Sequence, residues 1–160
     1  MNEIKGDMKE YIDGLFAMLQ SQDCYDKMLM EHIEIISIEP IFKCVFRAEK
    51  EMFTNVYKSV HGTIYAGLVD MLGGIAISLA DFEEQKAHLL KHGELIRQVS
   101  SDINISYVSS AFLGDRLYCE ARLLKKGKNL AFTQVDIYND KDMSLLATGR
   151  HTKFLFKAKM

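Results

Sequence analysis

The spacing of apolar positions changes several times along this chain, and each change predicts an element. Met8, Tyr11, Ile12, Leu15, Phe16 and Leu19 recur at the three- and four-residue intervals of an amphipathic helix. From His32 the spacing shortens. His32 to Ile38 is apolar and β-branched, and after Pro40 the run Ile41 to Lys50 alternates, with Phe42, Cys44, Phe46 and Ala48 on one face. Two strands are predicted there. Between about Thr63 and Ala80 the chain is apolar nearly all round, which marks a helix enclosed by protein. Small residues (Ala66, Gly67, Gly73, Gly74, Ala76, Ser78, Ala80) recur through it. A glycine inside a helix costs about 1 kcal/mol relative to alanine, so tight packing is expected, against a sheet or against a copy of the same helix.

Asp81 to Glu94 is charged, with Leu89, Leu90, Leu95 and Ile96 as a weak apolar stripe, and predicts a helical extension or a second short helix ending near Gly93. Four alternating runs follow: Val99 to Val108, Leu117 to Lys125, Leu130 to Asn139 and Leu145 to Phe156. Turn-like segments separate them, and connections this short imply antiparallel neighbours. The sum is an α+β domain over residues 31–160, an antiparallel sheet of about six strands wrapped around a central helix. Residues 1–30 form an N-terminal helical segment packed on it or at a subunit contact. No repeat or linker interrupts the chain.

Composition narrows the classes. The 160 residues suit one domain with a real core, and 48% hydrophobic with 26% charged residues is ordinary for a soluble globular protein. A net charge of −2 offers no electrostatic case for nucleic acid or an anionic membrane. Asp70 and Asp81 bracket the longest apolar run, so no membrane span is expected. The first 20 residues carry several acids and no arginine, unlike a secretory signal or transit peptide. Cys24, Cys44 and Cys119 are scattered, form no zinc spacing and suggest a reducing compartment. The expected address is the cytoplasm, with mitochondria as the alternative. No metal site is expected, because the five histidines show no metal-ligand spacing.

One carboxylate interrupts the apolar helix. Asp70 lies among Leu68, Val69, Met71 and Leu72. Such an acid caps a loop, pairs with a base, or works as a general base or nucleophile. His61-Gly62 directly precedes the same helix. A helix N-terminus offers backbone N–H groups without intrahelical partners, and Gly62 lets a carbonyl approach closely. The pair is a candidate oxyanion hole, or else an ordinary turn glycine beside a satisfied histidine. Gly62 and Asp70 are eight positions apart, roughly 12 Å along a helix. One thioester or ester carbon cannot touch both, so a shared substrate requires two antiparallel copies and a composite site at a twofold interface. Lys125, Lys126 and Lys128 flank Gly127 in a turn, with Arg150 and Lys153 on the last strand. These could hold a phosphorylated ligand, or be solvated surface. No nucleophile elbow, phosphate-cradling loop or dinucleotide fingerprint is present.

Asn55, His61-Gly62 and Asp70, in that order and spacing, resemble the hotdog-fold acyl-CoA thioesterases of the phenylacetyl-CoA thioesterase type. Val99 to Tyr107, Lys125 to Thr133 and Gly149 to Lys153 are similar to the eukaryotic branch, the small thioesterases called thioesterase superfamily member two. The likeness covers roughly residues 30 to 156. It implies the hotdog fold and hydrolysis of acyl-CoA, fatty or aryl, to free acid and coenzyme A, without a cofactor, within fatty acid metabolism. It implies homodimers, or homotetramers built as dimers of dimers, with the site at the dimer interface. By resemblance, His61 and Gly62 polarise the thioester carbonyl, Asn55 and Asp70 hold and activate water, and Ser100 orients it. Tyr107, Lys125, Lys126, Gly127, Lys128, Asn129 and Leu130 would contact coenzyme A. Two departures stand out: Thr63 replaces the family's second glycine and is expected to N-cap the helix, and the 81–98 segment is longer. A non-catalytic acyl-CoA-binding or sensing protein, and a hydratase or dehydratase on the same fold, are the alternatives.

Overall fold

The computed structural model describes residues 2–21, 23–92 and 96–156. Its elements are α1 (Asn2–Ser21), α2 (Tyr25–Met30), β1 (Ile33–Ser37), β2 (Phe42–Arg47), a 3-10 turn (Glu51–Phe53), α3 (Gly62–Ala80), α4 (Phe82–His92), β3 (Arg97–Tyr107), β4 (Arg116–Lys126), β5 (Leu130–Asn139) and β6 (Leu145–Phe156). The strands form one six-stranded sheet in the order β1-β2-β4-β5-β6-β3. Every neighbouring pair is antiparallel. The sheet curls around α3, the hotdog arrangement. By length and composition α3 could cross a bilayer, but it is the buried core helix here.

Alternation explains how the sheet meets the helix. On β2, Phe42, Cys44 and Phe46 are buried, as is Ala48 just beyond the strand. On β6 the inward series is Ala147, Gly149, His151, Lys153 and Leu155, all buried. Two glycines set the distance between the layers. A Cβ on Gly149 would lie 2.5 Å from a Val69 methyl, and one on Gly73 would lie 2.7 Å from Thr133 Oγ1. Here the small residues of α3 serve contact with the sheet. Gly67 serves a different neighbour, since a Cβ there would lie 2.7 Å from the Tyr25 hydroxyl and 2.9 Å from Leu29 Cδ1 on α2.

The expected all-round burial of α3 needs correcting. Ile64, Leu68, Leu72 and Ile75 are buried, whereas Ala66, Gly67, Asp70 and Gly74 form a half-open stripe at helical spacing. Asp70 lies on that stripe, and its side chain is 46% exposed. The short helix α2 was not legible from periodicity, because six residues make under two turns. The alternating run assigned to β2 stops at Arg47 instead of Lys50, where the chain turns into the 3-10 segment.

The N-terminal segment folds onto the domain. Ile12 and Phe16 are buried, and the Phe16 ring meets Phe42 of β2 at 6.4 Å. The charged stretch after α3 is indeed a second short helix, α4. Gly93 and Leu95, and the side chain of Leu90, lie outside the described residues. β3 is an edge strand with most of its side chains exposed, including Val99, Ile103 and Tyr107.

Candidate active site

Two clusters sit at opposite ends of β3. The first gathers at the start of α3. His61 is its N-cap residue, and Nδ1 accepts the Thr63 N–H at 3.1 Å. The cap is therefore His61, and the expected capping by Thr63 is corrected: its hydroxyl instead lies 2.8 Å from the same nitrogen. With Nδ1 accepting, the proton of a neutral imidazole resides on Nε2. The exposed ring thus presents an N–H donor beside the N-terminal amides of α3. Tyr107, near the end of β3, donates its hydroxyl to the Gly62 carbonyl at 3.2 Å. Asn55 joins this end because Thr54 pairs with Val60, and the His61 N–H bonds the Phe53 carbonyl at 2.8 Å. Its side chain shapes the 55–59 turn: Nδ2 donates to Ser59 Oγ at 2.8 Å, and Oδ1 accepts from the Tyr57 N–H at 2.9 Å.

The second cluster surrounds Asp70, two turns along α3. Ser100 Oγ donates to Asp70 Oδ1 at 2.9 Å and Lys153 Nζ to the same oxygen at 2.7 Å. His151 Nε2 stands 3.5 Å from it. Asp70 Oδ2 carries none of these contacts. Burial works to raise the Asp70 pKa, but the Lys153 ammonium and the Ser100 hydroxyl outweigh it and hold the carboxyl below its ordinary value. Burial, with Lys153 adding to it, pushes the His151 pKa down, so this imidazole is neutral near pH 7. A cavity of about 470 Å³ opens beside the cluster. Leu15, Leu19, Met71, Ile75, Ile96 and Val99 give it apolar walls, while Asp26, Ser78, Gln98, Ser100 and Lys153 share it with Asp70. A cavity with apolar walls and a carboxylate among them can hold an acyl chain with its reactive carbon beside that carboxylate.

The lysine turn divides between two environments. Lys126 is spent within the fold, pairing with Asp81 at 2.6 Å and also with Glu84. Lys125 lines a separate cavity of about 510 Å³ together with Arg150, Asn104 and Thr152. Gly127 bonds the Leu130 carbonyl at 2.7 Å, which closes the turn, and Lys128, Asn129 and Leu130 are exposed. Tyr107 is far from this turn within one chain. It pairs with Ala147 of β6, whereas Leu130 pairs with Phe154. Seven strand residues separate those positions, roughly 23 Å. Lys153, grouped with the basic turn from its sequence position, faces inward against Asp70. Its inward alternation with Gly149 and His151 is the signal that separates it from Arg150, which is exposed. Among the described residues, no three histidine, cysteine, aspartate or glutamate side chains converge as metal ligands.

The thioesterase superfamily profile matches residues 57–146. The chain belongs to this superfamily. Acyl-coenzyme A thioesterase 13 of Mus musculus is 34% identical over 132 residues, spanning 82% of this chain and 84% of that protein. The Homo sapiens protein of the same name is 38% identical over 112 residues, 70% of this chain and 71% of its own length. Among solved superfamily structures, zebrafish thioesterase superfamily member 2 superposes with a TM-score of 0.76 at 31% identity, covering 91% of this chain and 96% of that one. The Escherichia coli PaaI protein of the phenylacetic acid degradation operon shares the fold at a TM-score of 0.70 and 19% identity, covering 96% of each chain.

Proposed function

We propose that this protein hydrolyses acyl-CoA thioesters, fatty or aryl, to the free acid and coenzyme A, with each active site assembled from two copies of the chain. One observation carries the reading: Asp70, held by Ser100 and Lys153 in a cavity that also has apolar walls, on the helix that His61 caps. Membership of the thioesterase superfamily supplies the reaction class, and relatives named acyl-CoA thioesterases supply the thioester.

The chemistry follows from the two clusters. The substrate carbonyl accepts hydrogen bonds from the Gly62 N–H and His61 Nε2–H, at the positive end of α3. Asp70 takes a proton from water as its oxygen attacks the thioester carbon, giving a tetrahedral oxyanion. Collapse breaks the C–S bond, and the proton on Asp70 passes to the departing thiolate. Acid and thiol leave, and Asp70 is ionised again. The eight-residue offset on α3 keeps these roles apart in one chain. The exposed edge strand β3 bears Ser100 near one end and Tyr107 near the other. Antiparallel pairing of two β3 edges brings the Asp70 end of one copy to the His61 end of the other. Tyr107 and Asn55 of one copy then join the Ser100 cluster of its partner, with Lys125 and Lys128 near the coenzyme A phosphates. A homotetramer of two such dimers, in the cytoplasm and serving fatty acid metabolism, is the setting proposed here; all three cysteines are free, which fits a reducing compartment.

The test is release of free thiol from a panel of acyl-CoAs of different chain lengths, with phenylacetyl-CoA included. Asp70→Asn is expected to lose about 100-fold or more of kcat with its fold intact, the usual range for loss of a general base. No turnover of any acyl-CoA by the wild-type protein, with tight binding retained, would make it a binder instead of an enzyme.

A further inference from the structure

The Asp70 cavity contains a second carboxylate, contributed by the N-terminal segment. Asp26 lies in the first turn of α2 and lines the same cavity as Asp70, Lys153, Ser100 and Gln98. Its position is set by packing. Leu29 and Met30 of α2 are buried at 0% and 1% exposure. Tyr25 and Leu29 rest on Gly67, where a Cβ would lie under 3.0 Å from either side chain. The Tyr25 hydroxyl also reaches the Thr63 carbonyl at 3.3 Å. Gly67 and Asp70 are three positions apart on one face of α3, just as Asp26 and Leu29 are on α2. Docking on Gly67 therefore carries Asp26 to the Asp70 end of the cavity.

We propose that Asp26 is a positioning residue of the hydrolytic site, whose carboxylate acts across the cavity against the field of the Lys153 ammonium and so keeps Asp70 basic enough to take the proton from water. The proposal rests on Asp70 being the base. Lys153 on Asp70 alone would make a tight pair and a weak base. A second carboxylate in the cavity offsets part of that field. Charged and titratable groups facing Asp70, among the described residues, come from α2 (Asp26) and β6 (His151 and Lys153), while β3 contributes the neutral Ser100 hydroxyl. Burial raises the Asp26 pKa, the Asp70 charge raises it further and Lys153 opposes both. Asp26 thus takes up a proton at higher pH than Asp70, whose pKa is lowered.

This order has a kinetic signature. As pH falls, protonation of Asp26 removes its charge first. Asp70 is then left to Lys153 alone and becomes a weaker base, so kcat drops to a lower plateau before Asp70 itself is protonated and activity disappears. The upper step is expected to be about threefold, the effect of about one unit of lost basicity half expressed in the transition state.

The experiment compares kcat and KM across the acidic range for the full chain and Asp26→Asn, following loss of thioester absorbance with one acyl-CoA. Asp26→Asn should lose the upper step and run at about a third of wild-type kcat near neutral pH, with KM little changed. A single acid step in the wild-type, or an upper step that persists in Asp26→Asn, makes Asp26 merely structural and overturns the proposal. Loss of activity in Asp70→Asn together with an unaltered profile in Asp26→Asn would overturn this inference alone. Full activity in Asp70→Asn would overturn the assignment of Asp70. Should Asp26→Asn fail to fold, carbon-13 titration of the wild-type Asp70 carboxyl decides the matter. A second inflection reporting Asp26 supports the proposal, and a single uncoupled inflection rejects it.

Discussion

Lys153 makes Asp70 tolerable in an otherwise apolar helix. A carboxylate half out of water would drift toward its neutral form, but an ammonium at 2.7 Å reverses that tendency. The sign of the resulting pH dependence is definite. The folded-state pKa of Asp70 is depressed, so the interaction stabilises the fold fully above the unfolded value of about 3.8 and is lost as pH falls through the lower, folded value. Lys153→Met removes the main opposition to burial, leaving the Ser100 hydroxyl and His151 against it while Asp26 still repels. The Asp70 carboxyl is then expected to titrate above its ordinary value, and the acid limb of kcat/KM to move up in pH. A pH–rate profile of that variant checks it; an unmoved limb would mean that another group titrates there. His61 uses its hydrogen bonding differently, since accepting the Thr63 N–H fixes which nitrogen is left to face a carbonyl.

The elements owe their spacing to a few positions without side chains. Gly149 on β6 faces Val69 on α3 with no room for a methyl group between them. Gly149→Ala should cost about 1–3 kcal/mol, the usual penalty for overpacking a well-filled interior. Adding Val69→Ala to the same chain should recover part of that loss, which urea titration of the single and double variants would reveal. A purely additive pair would show that the clash lies elsewhere. The same packing accounts for what the pattern of apolar residues revealed. β4 and β6 announced themselves because one face of each is buried and the side chains alternate across it. The edges of β2 and the presence of α2 did not, because a short segment placed by contacts with Gly67 has no period of its own.

The proposed assembly turns on the strand edge. β3 leaves Val99, Ile103 and Tyr107 exposed at 51%, 37% and 57%. An apolar strand edge left open in this way is a template for pairing. Pairing by a twofold axis would put an Asp70 cluster and a His61 cluster together twice in each dimer. Asp70→Asn and His61→Ala chains, each inactive alone, should regain activity when mixed. Random exchange makes half the dimers mixed, each with one intact site of two, so about a quarter of wild-type activity is expected. Mixed dimers that form, as shown by mass spectrometry, yet stay inactive would confine the site to one chain.

Much of this protein can be read from linear order. The period of two locates the strands and that of 3.6 the N-terminal helix, while an apolar run of helical length marks the central one, because burial selects side chains locally. The offset between Gly62 and Asp70 was equally legible, since helical rise depends only on residue count. Other features depended on the folded chain. Asp70 proved half-open instead of buried, and its partner among the bases is Lys153, 83 residues away, which arrives through the β3–β6 edge of the sheet. Lys126 joined the fold while Lys125 remained at a cavity, a division set by which side of β4 meets α4. Asp26 entered the cavity because Gly67 allows α2 to dock there. Periodicity encodes which face of an element is buried. Which charges meet across that face depends on contacts between segments far apart in the chain, and no local pattern records them.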